Sequence, residues 1–155
     1  MINNVMLFCN MDLTHKSMFK KVLNAWNSRD PAHFLKIVSD YVVYEHAGSD
    51  YMILRGKEEL KSYLMNLWKA IPNLTFDFFN SAWNEPVFFV EWDAEGNLIG
   101  KRYEIVGNYT PIKFSGVAVI ILDKDGIVLE QRTYFNDVEI IKQVRDVANT
   151  YLPHF

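Results

Sequence analysis

His46 is the side chain best suited to move a proton near neutral pH, since an unperturbed imidazole titrates at about 6.5. It closes the run Tyr41-Val-Val-Tyr-Glu-His46. Gln131 and Thr133 carry an amide and a hydroxyl that can hydrogen-bond a ligand carbonyl or hydroxyl. One residue separates them, which puts both on the same face of a strand. Trp26, Tyr63 and Trp92 offer aromatic surface on which a flat molecule can stack. No His, Cys or carboxylate spacing suits a metal ion. No phosphate-binding glycine loop, serine elbow or Cys–His arrangement is present, and no cofactor is expected. His15, His33 and His154 fall on a helix start, a helix face and a tail.

Gln131 and Thr133 must be positioned by a hairpin. Residues 112–122 are a long apolar run, Asp123-Lys-Asp-Gly126 is a turn, and residues 127–136 alternate. The turn suits a type I geometry with Gly126 in the left-handed region. Pairing Asp123 with Ile127 and counting outward sets Val119 opposite Gln131 and Val117 opposite Thr133. Ser115, Val117, Val119 and Ile121 then face the interior with Ile127, Leu129, Gln131, Thr133 and Phe135. That leaves Phe114, Ala118, Ile120 and Leu122 on the other face. A strand apolar on both faces is covered on both, and this second set is expected to be buried in a homodimer.

The remaining elements follow in order. Thr14 caps a helix whose stripe is Met18, Val22, Ala25 and Trp26. Asp30-Pro31 restarts a short helix as N-cap and first residue. A strand over 41–46 and an extended piece over 51–54 precede a third helix, 57–70, with stripe Leu60, Leu64, Leu67 and Trp68, which Pro72 ends. Strands are expected over 74–83 and 87–94. Phe88, Val90 and Trp92 share one face of the second, with Glu91 and Asp93 opposite. Residues 95–111 read as an irregular crossing with a short strand around 102–106. Asn136 caps a last helix. The order specifies an α+β domain, a curved antiparallel sheet wrapped around three helices. It is one domain over 1–155, with an arm at 1–13 and a tail at 151–155.

Composition narrows the partners. The chain is 50% hydrophobic and 15% aromatic with net charge −3, which suits an apolar pocket and a hydrophobic small molecule. Without a basic stripe, no nucleic acid is expected. The single Cys9 excludes an internal disulfide. No run is long enough for a membrane span or a secretion signal, so a soluble, cytoplasmic protein is expected.

The pieces Trp26-Asn-Ser-Arg-Asp30, Arg55-Gly-Lys-Glu-Glu-Leu60, Val90-Glu-Trp-Asp-Ala-Glu-Gly96 and Asp125-Gly-Ile-Val-Leu-Glu-Gln-Arg-Thr-Tyr-Phe-Asn136, in this order of elements, resemble the nuclear-transport-factor-2-like superfamily. That is the cone-shaped fold of the SnoaL-like polyketide cyclases and ketosteroid isomerases, with the phenazine-biosynthesis A/B proteins as further relatives. The resemblance spans about residues 15 to 145. It implies a homodimer and a pocket lined by Trp26, His46, Tyr63, Trp92, Val119, Gln131 and Thr133. The acid that cyclases carry on the last strand falls on Thr133, and their pocket histidine on Val119. The helix histidine of the phenazine proteins falls on Tyr63. The arginine and aspartate of the epoxide hydrolases fall near Trp92 and Ala94, and the isomerases' helix tyrosine near Val22. The isomerases' base falls near His46, which alone keeps a proton-moving group. The resemblance therefore implies a hydrophobic-ligand-binding protein, with isomerase or cyclase chemistry through His46 at the pocket mouth. A non-catalytic binding or assembly module that dimerises through its sheet face is the alternative. As a strand-end side chain, His46 is expected to contribute little to the core.

Overall fold

The computed structural model describes residues 13–48, 51–102 and 105–151. The arm and tail expected at the two ends lie outside these residues, except Leu13 and Tyr151, which belong to helices. Helix α1 is Leu13–Asn27, α2 is Pro31–Phe34 with a 3-10 turn Leu35–Ile37, α3 is Gly56–Ala70 and α4 is Asp137–Tyr151. The strands are β1 Val38–Ala47, β2 Met52–Arg55, β3 Thr75–Asn84, β4 Val87–Leu98, β5 Lys101–Arg102, β6 Ile105–Val106, β7 Thr110–Leu122 and β8 Val128–Phe135. Six of them form one sheet in the order β2-β1-β8-β7-β4-β3, and β5 and β6 pair separately.

The sheet is mixed, because β1 runs parallel to β8 while every other pair is antiparallel. This corrects the all-antiparallel expectation. The sheet stays open and curves over the helices as an α+β cone: α1 packs on β3, α3 on β1 and α4 on β7. Strand β4 runs to Leu98, well past the expected end at 94, because its whole length pairs with β7 from Thr110 onward. Part of the expected irregular crossing is thus regular strand.

The core is the inner side of this cone. The α1 stripe Met18, Val22, Ala25 and Trp26 is buried with Phe19, and Leu60, Leu64, Leu67 and Trp68 are buried from α3. Between them the chain also docks itself by hydrogen bonds, alongside the apolar contacts of Phe19 on Phe78 and Trp26 on Phe76. The Asn27 side chain donates to the Phe76 carbonyl at 2.9 Å and accepts from the Phe76 amide at 2.7 Å. It thereby satisfies backbone groups on β3, one of the sheet's two edge strands, which would otherwise be open for pairing. Arg29 donates to the Leu74 carbonyl at 3.2 Å, and Asp30 caps α2 through the Ala32 amide at 2.9 Å. The stretch Trp26–Asp30 therefore fastens α1 to the sheet.

The hairpin turn has the expected geometry. Gly126 sits at φ +73°, where glycine carries no steric penalty. The Asp123 amide donates to the Ile127 carbonyl at 2.9 Å, and Asp123 Oδ1 accepts from the amides of Asp125 and Ile127. The register beyond the turn is different. Leu122 pairs with Val128, but Ile121 pairs with Glu130, so Leu129 is an extra residue, a bulge. It shifts every later pair by one: Ile120 opposes Gln131, Ala118 opposes Thr133 and Val119 opposes Arg132. With a side-chain period of two, that slip exchanges the faces of β7.

Two expectations are overturned by the bulge. Phe114, Ala118, Ile120 and Leu122 face inward and are buried within this chain, so they are not a dimer surface. Val117, Val119 and Ile121 lie on the outer side, with Val119 beside Phe89 of β4. Gln131 and Thr133 remain inside because the bulge reverses β8 before it reaches them, leaving Val128 buried and Leu129 exposed.

Gly116 marks a close approach on the inner face of β7. A Cβ there would collide with the Trp92 indole and lie 2.6 Å from the Tyr134 carbonyl oxygen. Gly116→Ala should lower the unfolding free energy by about 1–3 kcal/mol, the usual cost of overpacking. Urea denaturation checks this, and a loss below about 0.5 kcal/mol would contradict the packing.

Candidate functional site

The interior of the cone holds a narrow cavity of about 30 Å³, room for about two water molecules. Trp26 reaches it from α1; Tyr63 and Leu67 from α3; Phe76, Phe78, Val90 and Trp92 from β3 and β4; Phe114, Ala118 and Ile120 from β7; and Ile140 from α4. Nearly half of the wall is aromatic, and most of the rest is aliphatic. The Trp26 and Phe76 ring centroids lie 5.1 Å apart, those of Phe76 and Trp92 5.4 Å, and those of Trp92 and Phe135 5.8 Å. The last two are edge contacts, which aromatic quadrupoles favour.

Gln131 and Thr133 interrupt that wall. Both come from β8, both line the cavity, and they are only 3% and 4% exposed. The Gln131 amide donates to Thr133 Oγ1 at 3.2 Å. An amide NH₂ has two protons and a hydroxyl has one of its own. After this bond, the pair retains one amide N–H and one O–H. Two donors on one strand, beside an apolar cavity, form an arrangement that can receive a carbonyl oxygen and carry charge developing on it.

His46 is not where sequence reasoning put it. It does not line the cavity. Strand β1 sets it opposite Thr133 of β8, and its ring stacks on Phe135 with centroids 4.5 Å apart and planes 16° from parallel. Phe135 does line the cavity, so the imidazole lies one ring behind the wall. At 1% exposure it is also a packed core residue, contrary to the slight packing role expected of a strand end.

Of the seven residues expected in the pocket, five line the cavity: Trp26, Tyr63, Trp92, Gln131 and Thr133. His46 stands behind Phe135, and Val119 faces outward through the register shift. Sequence reasoning missed Phe114, Ala118 and Ile120, which the same shift turns inward. It also missed Phe135 and Ile140. One signal for the bulge was available: Ile127-Val128-Leu129 is a run of three apolar residues, which breaks the alternation of a simple strand.

The outer side of the sheet carries the charges. Arg132 bonds Glu130 at 2.5 Å and lies 4.0 Å from Glu45. The hydrogen bond and charge of Glu130 hold the Arg132 guanidinium above its ordinary pKa. Across β7 from this cluster, Phe89 of β4 is 45% exposed, and a shallow groove runs past Ala82, Phe89 and Val117. No group of His, Cys, Asp and Glu among the described residues could hold a metal ion. Among the same residues, no helix is long and apolar enough to cross a membrane.

The family model for SnoaL-like polyketide cyclases matches residues 16–144 of the chain. No curated protein matches its sequence. Among solved structures, one described as a putative SnoaL-like polyketide cyclase from Shewanella denitrificans superposes with a TM-score of 0.77 at 13% identity, over 87% of this chain and 99% of that one. One described as a putative polyketide cyclase from Xanthomonas campestris gives 0.73 at 17% identity, over 84% and 96%. SalBIII, an epoxide hydrolase/cyclase-like enzyme of pyran ring formation in salinomycin, gives 0.68 at 16% identity, over 81% and 93%. At these identities the structural likeness is one of fold.

Proposed function

The chain belongs to the SnoaL-like polyketide cyclase family, and from that premise we propose that its cone binds a compact, apolar, carbonyl-bearing molecule and isomerises or cyclises it with His46 as base. The observation that carries this reading is the pair Gln131 and Thr133, two buried donors in an otherwise aromatic and aliphatic wall. The carbonyl oxygen accepts from the Gln131 amide and the Thr133 hydroxyl. The apolar body of the ligand stacks among Trp26, Tyr63 and Trp92. Phosphates and sugars fit poorly, because the wall offers no cation and few polar groups.

A cavity of about 30 Å³ cannot hold an organic molecule at rest, so binding moves the wall. Displacing Phe135 widens the cavity and also uncovers the imidazole stacked on it. His46 can then take a proton from the carbon next to the carbonyl. Gln131 and Thr133 hold the enolate oxygen that forms. Thr133 itself supplies no acid, since its hydroxyl does not ionise near neutral pH. Epoxide opening that depends on a carboxylic acid at this position should be absent. Turnover of a simple alkyl epoxide at a rate unaffected by His46→Gln would contradict this.

The reading is tested with a panel of enolisable ketones and unsaturated lactones, following tryptophan fluorescence for binding and proton exchange with D₂O for chemistry. Trp26 and Trp92 line the cavity, so binding should alter the emission. Emission unchanged across the whole panel would contradict the pocket.

We also propose a homodimer, formed through the outer sheet face rather than the inner one. Strand β7 is apolar on this side too, through Val117, Val119 and Ile121, and Phe89 extends the patch. A second copy covering it accounts for a strand apolar on both faces. Sedimentation should give a dimer at micromolar concentration, and Val119→Lys should shift it to monomer. A monomeric wild type would contradict the assembly.

A further inference from the structure

Helix α4 brings a buried carboxylate to the histidine. Asp137, its first residue, is 1% exposed, as is His46. Both side chains crowd around Gly48. A Cβ built on Gly48 would lie 2.6 Å from His46 Nε2 and 2.9 Å from Asp137 Oδ2. The imidazole and the carboxylate therefore border the same small space, and that space exists because residue 48 has no side chain.

The other charged groups nearby are placed elsewhere, among the described residues. On β1 and β8, Glu45 lies near Arg132, which pairs with Glu130. On β2, the residue opposite His46 is Met52. On α4, Glu139 pairs with Lys142 at 3.3 Å. Thr133, the β8 neighbour of His46, is uncharged. Asp137 is the carboxylate that shares the space with the ring.

We propose that Asp137 is the positioning residue for His46: it holds the imidazole at the β1 end against Phe135 and stabilises the imidazolium formed when the ring accepts a proton. A buried carboxylate bordering the same space favours the charged imidazole, because little solvent screens the two groups from each other. The proton leaves the substrate carbon for the imidazole, and Asp137 balances the resulting positive charge without itself being protonated. The inference rests on the reading of His46 as base, but the pairing can be measured without turnover.

Protein labelled with ¹⁵N-histidine is titrated by NMR, the His46 signal being identified as the one lost in His46→Gln. Asp137→Asn removes the charge that favours imidazolium, so the His46 midpoint should fall by about one pH unit or more. Gly48→Ala, which wedges the two groups apart, should move it in the same direction and serves if Asp137→Asn fails to fold. An unmoved midpoint in the folded variants overturns the pairing. In the ketone assay, Asp137→Asn should lose about 10–100-fold in rate, as misplacement of a reacting group does, and should shift the acid limb of the pH profile downward. Asp137→Glu should recover part of the rate. A moved midpoint with no turnover by wild type would sustain the pairing and sink the base reading. Full activity in Asp137→Asn would sink the positioning role.

Discussion

Replacing His46 with glutamine should cut turnover of an enolisable ketone by about 10²–10⁴-fold, the usual worth of a general base. Glutamine is the informative substitution. His46 is buried and stacked on Phe135, so alanine would leave a cavity and confuse a lost base with a loosened core. Glutamine fills most of the space and cannot accept a proton near neutral pH. The wild-type rate should fall as pH drops and the imidazole protonates, and the glutamine variant should lose that limb. Equal rates for the two proteins would remove His46 from the chemistry. No turnover by either would favour the non-catalytic binding module.

Trp92→Ala should cost about 3–5 kcal/mol of stability, the range for deleting a large buried aromatic. Trp92 is 3% exposed. Its ring meets Phe76, Phe114 and Phe135 at centroid distances of 5.4, 5.8 and 5.8 Å, and lies against Gly116. It links β3, β4, β7 and β8 across the cavity, so no single neighbour can collapse into the space it leaves. Urea unfolding measures the loss. A cost under about 1 kcal/mol would mean that the cone closes over the gap, contrary to the close packing of its wall.

Much of the fold was legible because its signals are local. The stripes of α1 and α3 follow from helical period, Asp30-Pro31 from capping, and the hairpin turn from the needs of Gly126. What could not be read was non-local. The parallel pairing of β1 with β8 depends on how distant strands meet, and no residue in either strand encodes its direction. The site was only half legible for one specific reason. A single inserted residue, Leu129, decides which side of β7 faces in. Counting outward from the turn placed Gln131 and Thr133 correctly and every partner on β7 one position off. Asp137 was missed because an acid in the first turn of a helix is ordinarily a solvated partner for the helix dipole; only the packed structure reveals that this one is buried and borders the space at Gly48 that His46 also borders.

We propose above all that Gln131 and Thr133 receive a carbonyl oxygen inside an apolar cone. It is tested most directly by calorimetric binding of 2-tetralone, a flat ketone, against tetralin, the same ring system without the oxygen. Wild-type protein should bind the ketone about 3–10-fold more tightly, the worth of a net hydrogen bond. The double variant Gln131→Leu, Thr133→Val should bind both alike. Equal affinity in the wild type, or a preference that survives in the double variant, would contradict the account.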